Sequence, residues 1–180
     1  MRFDSSLPFG RFKYRGCDRI LLSAQKYMNG AIIQRERILD DMGKGDLSFD
    51  ERSRRLYLDL HFYIICCARV RHLLSAMAAR DGDRELVGIA NRLKKKTSSI
   101  NTARVYLEHI ENKIPLDDDS EWSEVTPQRY SFAGRDFDIS EEGLGLFITA
   151  FAETIKVLES RPIQARYIAE LRELEKKGRP

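Results

Sequence analysis

Residues 48–80 read SFDERSRRLYLDLHFYIICCARVRHLLSAMAAR, and the reading of this stretch decides the fold. Ser48 followed by Glu51 has the form of a capping box, in which serine and glutamate side chains satisfy backbone N–H groups that a helix start leaves open. From Leu56 to Met77 apolar side chains fall on nearly every face of the implied helix, not on one stripe. A helix written that way is covered on most sides by other elements, so it is expected at the centre of a helical bundle. Asp81-Gly82-Asp83 ends it and offers Asp83 as the next N-cap. The longest unbroken apolar run, Phe62 to Ala68, falls well short of the roughly 18 residues that cross a bilayer.

On the N-terminal side, Asp18 to Met42 carries an apolar stripe at three- and four-residue steps: Ile20, Ala24, Tyr27, Met28, Ala31, Ile38 and Met42. Arg35 interrupts the stripe, and Gly43-Lys44-Gly45 stops the helix. Residues 1–17 form an arm in which Phe9, Phe12 and Tyr14 alternate with Arg11, Lys13 and Arg15. Aromatic and basic side chains interleaved in this way can stack bases and hold phosphates; the plainer expectation is that the aromatics pack the arm against the core or a partner subunit, with the charges in water.

On the C-terminal side, residues 84–114 hold one helix or a pair, broken and recapped at Thr97-Ser98-Ser99 and closed by Pro115, which steers the preceding residue out of helical geometry. Residues 115–128 are an acidic loop carrying Trp122, without the glycine turn and terminal glutamate of an EF-hand. Residues 129–139 predict a small β-hairpin, Tyr130-Ser131-Phe132 and Asp136-Phe137-Asp138 flanking a glycine-containing turn. Ser140 caps a helix to about Glu159, with Leu144, Phe147, Ile148, Phe151, Ile155 and Leu158 on one face. Pro162 opens a last amphipathic helix. The expected fold is all-α, one domain over 1–180, with five or six helices and one hairpin. Deep burial is expected at Phe62, Ile65, Cys66, Leu73, Leu107, Phe147 and Phe151.

Composition bounds the function. With 180 residues, 42% hydrophobic and 33% charged, the chain suits one well-formed core and is neither disordered nor membrane-like. A net charge of +3 is too small to imply nucleic acid by itself. The three cysteines, Cys17, Cys66 and Cys67, are odd in number and two are adjacent, which argues against a disulfide framework and for a reducing, cytoplasmic setting. The start of the chain lacks the apolar stretch of a signal peptide. No C-x-x-C or H-x-x-x-H pair supports a metal, Gly143-Leu144-Gly145 is not a phosphate loop, and no nucleophile–base set is legible. Neither a metal nor a cofactor is expected.

Chemistry concentrates in Asn101-Thr-Ala-Arg104-Val-Tyr-Leu-Glu108-His109-Ile-Glu-Asn112. Ile100, Ala103, Leu107, Ile110 and Ile114 make one apolar face; Asn101, Arg104, Val105, Glu108, His109 and Asn112 lie away from it. Val105 is an apolar residue on this polar side, which predicts a partner surface there. An i,i+4 pair between Arg104 and Glu108, with His109 merely exposed, is the plainer account of the same residues.

The Arg104-x4-His109 spacing resembles the signature of the HEPN family, helical proteins of prokaryotic defence and toxin–antitoxin systems; the match covers about a dozen residues. The resemblance implies metal-independent RNA cleavage at the seam of a homodimer in a bacterial cytoplasm. His109 would be the general acid or base, Arg104 would hold the phosphate, and Asn101 and Glu108 would orient them. Those types suit the task, because imidazole exchanges protons near neutrality and guanidinium presents a permanent charged fork. A spacing of five puts the two about 140° apart on an ideal helix, so convergence on one phosphate requires either a dimer or a deformed helix end. Val105 departs from the polar residue common after the arginine. It favours the alternative of a catalytically inactive protein-interaction or regulatory module, and an antitoxin or other protein partner belongs to either account.

Two further groups bear on RNA. Arg92, Lys94, Lys95 and Lys96 precede the motif and are the candidate RNA-binding cluster. His61 and His72 are about 16 Å apart along their helix, too far to share a metal. They read as boundary histidines; a functional role would require His72, Arg69 and Arg71 to stand beside Arg104.

Overall fold

The computed structural model describes residues 17–44, 49–108, 125–132, 135–162 and 173. Five helices and one hairpin follow in order: α1 (Cys17–Gly43), α2 (Phe49–Asp81), α3 (Arg84–Lys96), α4 (Ser98–Glu108), β1 (Arg129–Phe132), β2 (Arg135–Asp138) and α5 (Glu141–Glu159). The all-α architecture with a small hairpin is as the sequence predicts. The Ser48 cap, the 1–16 arm, the acidic loop before Val125, the hairpin turn and the helix beyond Pro162 lie outside the described residues, apart from an isolated helical position at Glu173.

α2 is central: α1, α3, α4 and α5 all pack against it. Its buried face is Leu60, Tyr63, Ile64, Cys67, Val70, Leu74, Met77 and Ala78, meeting Leu21, Ala24, Met28, Ala31 and Ile38 of α1 and Phe147, Phe151 and Leu158 of α5. At Gly30, α1 comes so close to α2 that a Cβ there would lie 2.9 Å from Cys66 Sγ. The segment Arg54–Asp81 is long and apolar enough to cross a membrane by length and composition, a property that counting unbroken runs misses.

The deep burial expected at four residues of this helix, Phe62, Ile65, Cys66 and Leu73, needs correction. Phe62 is 52% exposed and Leu58 51%, whereas Ile65, Cys66 and Leu73 are half-buried. Phe62 stands about 160° around the helix from Leu60, on the side that no described element covers. Where a helix is apolar all round, periodicity does not say which face its neighbours leave open. Phe147 and Phe151 are buried as expected, at 2% and 0% exposure; the Leu107 side chain lies outside the described residues.

Caps and corners follow local chemistry. Asp83 accepts from the backbone N–H groups of Glu85 and Leu86, and Ser140 from that of Gly143, so both predicted N-caps are made. Gly82 turns the α2–α3 corner at φ 74°, in the left-handed region that glycine enters without a Cβ penalty. Arg161, just beyond α5, returns to this corner: its two terminal nitrogens bind Asp81 at 2.8 and 2.7 Å, and Asp83 at 3.1 Å. That bidentate contact holds the Asp81 carboxyl below its ordinary range.

The hairpin pairs Arg129 with Asp138, Tyr130 with Phe137, Ser131 with Asp136 and Phe132 with Arg135, antiparallel. Strand alternation turns Tyr130 and Phe137 inward, 1% and 2% exposed, with ring centroids 6.1 Å apart. Arg35, the break in the α1 stripe, has a use here: its Nε donates to the Ile139 carbonyl at 2.8 Å, fixing the hairpin's exit to α1.

Candidate nucleic-acid interface

α3 and α4 meet at Thr97, which ends one helix and precedes the other. Its backbone N–H donates to the Leu93 carbonyl at 3.0 Å, and its hydroxyl to the same carbonyl at 2.7 Å. With its hydroxyl and N–H both turned back on α3, Thr97 is buried although polar. The break expected at Thr97-Ser98-Ser99 is therefore real, and it sets the direction in which α4 runs. Ile100 and Ala103 then bury against the core at 3% and 0% exposure, which fixes the rotation of α4.

That rotation decides where the motif residues stand. Arg104 is half-buried on the flank of the α4 core face, with its Nε withdrawn from solvent. Asn101 is exposed. Val105 is half-buried, so the fold itself covers part of the side chain expected to be exposed, and it no longer argues for a partner surface with the same force. The Glu108 side chain and all of His109 through Asn112 lie outside the described residues.

Arg71 comes from α2 to the α3–α4 break. Its Nη1 donates to the Thr97 carbonyl at 3.1 Å. Burial, and after it the Arg104 charge, push the Arg71 guanidinium below its ordinary value. Of the three α2 residues that a functional role for His72 would require beside Arg104, Arg71 is the one on which the Arg104 charge is seen to act. Arg69, two positions away and so about 160° around the helix, is exposed, and His72 is exposed as well. His61 is half-buried beside Tyr57 and Phe62, with ring centroids 6.3 and 6.1 Å away.

The candidate RNA-binding cluster divides. Lys94, Lys95 and Lys96 form the exposed last turn of α3, directly before Thr97. Basic side chains at a helix C-terminus also complement its dipole, which is the modest structural use of the same residues. Arg92 turns to α5 instead and pairs with Glu153 at 2.7 Å. Both side chains of that pair are about half exposed, so it contributes little to stability. Among the described residues no group of three His, Cys, Asp or Glu side chains is placed to hold a metal.

Arg71 of α2 thus meets the α3–α4 break directly after the exposed Lys94–Lys96 turn, and the charge of Arg104, further along α4, reaches it. This setting can attract and orient an anion. Proton transfer would have to come from elsewhere, His109 being the motif's candidate. No protein-family model, curated protein or solved structure matches the chain.

Proposed function

We propose that this chain is a HEPN-like, metal-independent endoribonuclease, a toxin or defence component of the bacterial cytoplasm that acts at a homodimer cleft. The observation that carries the reading is the placement of Arg104. The motif arginine stands on the flank of the α4 core face, in the helix that follows the lysine turn of α3, and its charge reaches the Arg71 guanidinium, a cationic setting suited to a phosphodiester. Guanidinium groups offer phosphate oxygens paired N–H donors and stabilise charge that grows in the transition state. In this reading Arg104 binds the scissile phosphate and His109 moves the proton. Asn101 and Glu108 orient them, and Lys94, Lys95 and Lys96 hold flanking phosphates. An antitoxin or other protein partner would control access.

The test is cleavage of single-stranded RNA by the purified protein in EDTA, with the product ends identified by mass spectrometry. The expected product carries a 2′,3′-cyclic phosphate, because the internal 2′-hydroxyl is the nucleophile and the 5′-oxygen leaves with a proton. His109→Ala and Arg104→Ala should each abolish cutting; Arg104→Lys should restore it only in part, since ammonium lacks the fork. Cutting that persists in both alanine variants, or that requires Mg²⁺, rejects the assignment. A monomer at tens of micromolar by light scattering rejects the two-chain site.

A catalytically inactive protein-interaction module is the second reading. The half-exposed Leu58 and Phe62 on α2 favour it, since large apolar side chains in water mark contact surfaces when they cluster. A folded dimer that neither cuts nor binds RNA would establish that reading over the first.

A further inference from the structure

We propose that the outer seam between α1 and α2 is a docking groove for an acidic amphipathic helix of another protein. The inference supplies a partner chemistry for the protein-interaction reading above, on which it rests, and does not depend on RNA cleavage. Two contacts fix the register of the seam. Arg37 of α1 meets Asp59 of α2 at 3.7 Å, and a Cβ on Gly30 would lie 2.9 Å from Cys66 Sγ. Gly30 is seven residues before Arg37 and Cys66 seven after Asp59, so the two helices run antiparallel in step. Ile33 is therefore level with Phe62 and Tyr63, and Lys26 with Arg69 and Val70. One side of the seam turns to the core, where Ala31, Tyr63 and Val70 are buried; Ile33, 51% exposed, lies on the other side with Leu58 and Phe62.

The outer side has an order along its length. Leu58, Phe62 and Ile33 make an apolar section. Lys26, before Ile33, and Arg69, after Phe62, each stand within about 20° of the same face and about 10 Å further along. Leu22, exposed, and Leu73, half-buried, follow them. The acids Asp40, Glu51 and Asp59 on this side are paired with Lys44, Arg55 and Arg37. Glu36 lies at the edge, about 60° around from Ile33. Among the described residues neither Lys26 nor Arg69 has a carboxylate partner. Charge complementarity names the occupant: carboxylates between two apolar sections of one helix face answer cations between two apolar sections of a groove. The run from Leu58 to Leu73, about 22 Å, suits a helix of about 15 residues. A lipid surface is a poorer match, because Lys26 and Arg69 stand within the apolar row and not on a separate polar face. A second copy would bring the same surplus of positive charge, and the arm at 1–16 is itself basic, with Arg2, Arg11, Lys13 and Arg15 against Asp4.

The probe is a phage-displayed library of helical peptides of about 16 residues, panned against the full chain. Enriched peptides are synthesised with a fluorophore and titrated by anisotropy. They should carry two or more carboxylates between large apolar residues at three-, four- and seven-residue steps. Phe62→Asp and Ile33→Asp should each weaken binding about tenfold or more, with melting temperatures near that of the wild type, because both side chains are already half in water. If one of these variants does not fold, the other carries the test. Lys26→Glu combined with Arg69→Glu should abolish binding of the acidic peptide. The same peptide with its carboxylates changed to lysine should bind that variant and not the wild type. Enrichment of basic or uncharged peptides, charge reversal without effect, or no enrichment at all overturns the proposal. Three other occupants would overturn it too. A wild-type dimer that Phe62→Asp dissolves means a second copy. Phosphatidylserine vesicles that sediment the wild type and not Phe62→Asp mean a lipid surface. Tighter peptide binding after Asp117→Asn, Asp118→Asn and Asp119→Asn together means the chain's own acidic segment. The two readings fail separately: peptides that depend on Phe62 but not on charge sink the acidic partner and spare the interaction module.

Discussion

Replacing Arg161 with alanine removes the clamp that ties the end of α5 to the α2–α3 corner. The Arg161 and Asp81 side chains are only 16% and 12% exposed, and Asp83 33%. An exposed ion pair contributes about 0.2–1 kcal/mol, while breaking a buried one costs about 3–5 kcal/mol because a charge is left without compensation. This clamp lies between those limits: it is bidentate and mostly covered, but water can reach Asp83 once the arginine is gone. The expected loss is about 2 kcal/mol at pH 7, or a fall in melting temperature of about 4–8 °C for a chain of this size. Urea denaturation followed by far-UV circular dichroism gives the free energy. The pH dependence has a definite sign. Asp81 is held below its ordinary value in the folded state, so its contribution is complete above the unfolded pKa of about 3.9 and disappears as pH falls through the depressed folded value. The gap between wild type and Arg161→Ala should therefore narrow below about pH 4. A loss under about 0.5 kcal/mol at pH 7 would put the clamp with exposed pairs and refute the burial argument. A gap of constant size down to pH 2 would show that Asp81 is not the partner that matters.

Other outcomes follow from packing. Phe62→Ser should cost under about 1 kcal/mol, because half of the ring is already in water, whereas Phe151→Ala should cost about 3–5 kcal/mol; equal urea midpoints for the two variants would contradict the face assigned to α2. Gly145→Ala meets nothing within 4 Å in α5 and should stabilise by about 0.5–1 kcal/mol. Gly143→Ala would place its Cβ 2.7 Å from the Asp138 carboxylate, which is bonded to the Ser140 N–H at 2.9 Å, so in the same thermal melts it should fall short of Gly145→Ala by about 1 kcal/mol. Burial pushes up the thiols of both Cys66 and Cys67, and Cys67 is the more enclosed. In the native protein at pH 8, iodoacetamide should therefore label Cys66 slowly and Cys67 more slowly still; peptide mapping that finds Cys67 ahead would mean that α2 opens locally.

The amino-acid sequence by itself determined the helices, their two N-caps at Asp83 and Ser140, the break at Thr97 and the hairpin. Each is set by contacts within a few residues: a side-chain oxygen meeting a nearby N–H, a three- or four-residue apolar step, an alternation of two. It also marked Arg104 as a polar residue off an apolar face. Tertiary packing decided what local pattern does not encode. Which side of α2 stays open at Leu58 and Phe62 depends on where four other helices come to rest. The use of Arg35 depends on a carbonyl 104 residues away, and that of Arg161 on a corner 80 residues away. The use of Arg71 depends on a carbonyl at the α3–α4 break, 26 residues away. Such pairings arise from chain crossings, and no period along the sequence records them.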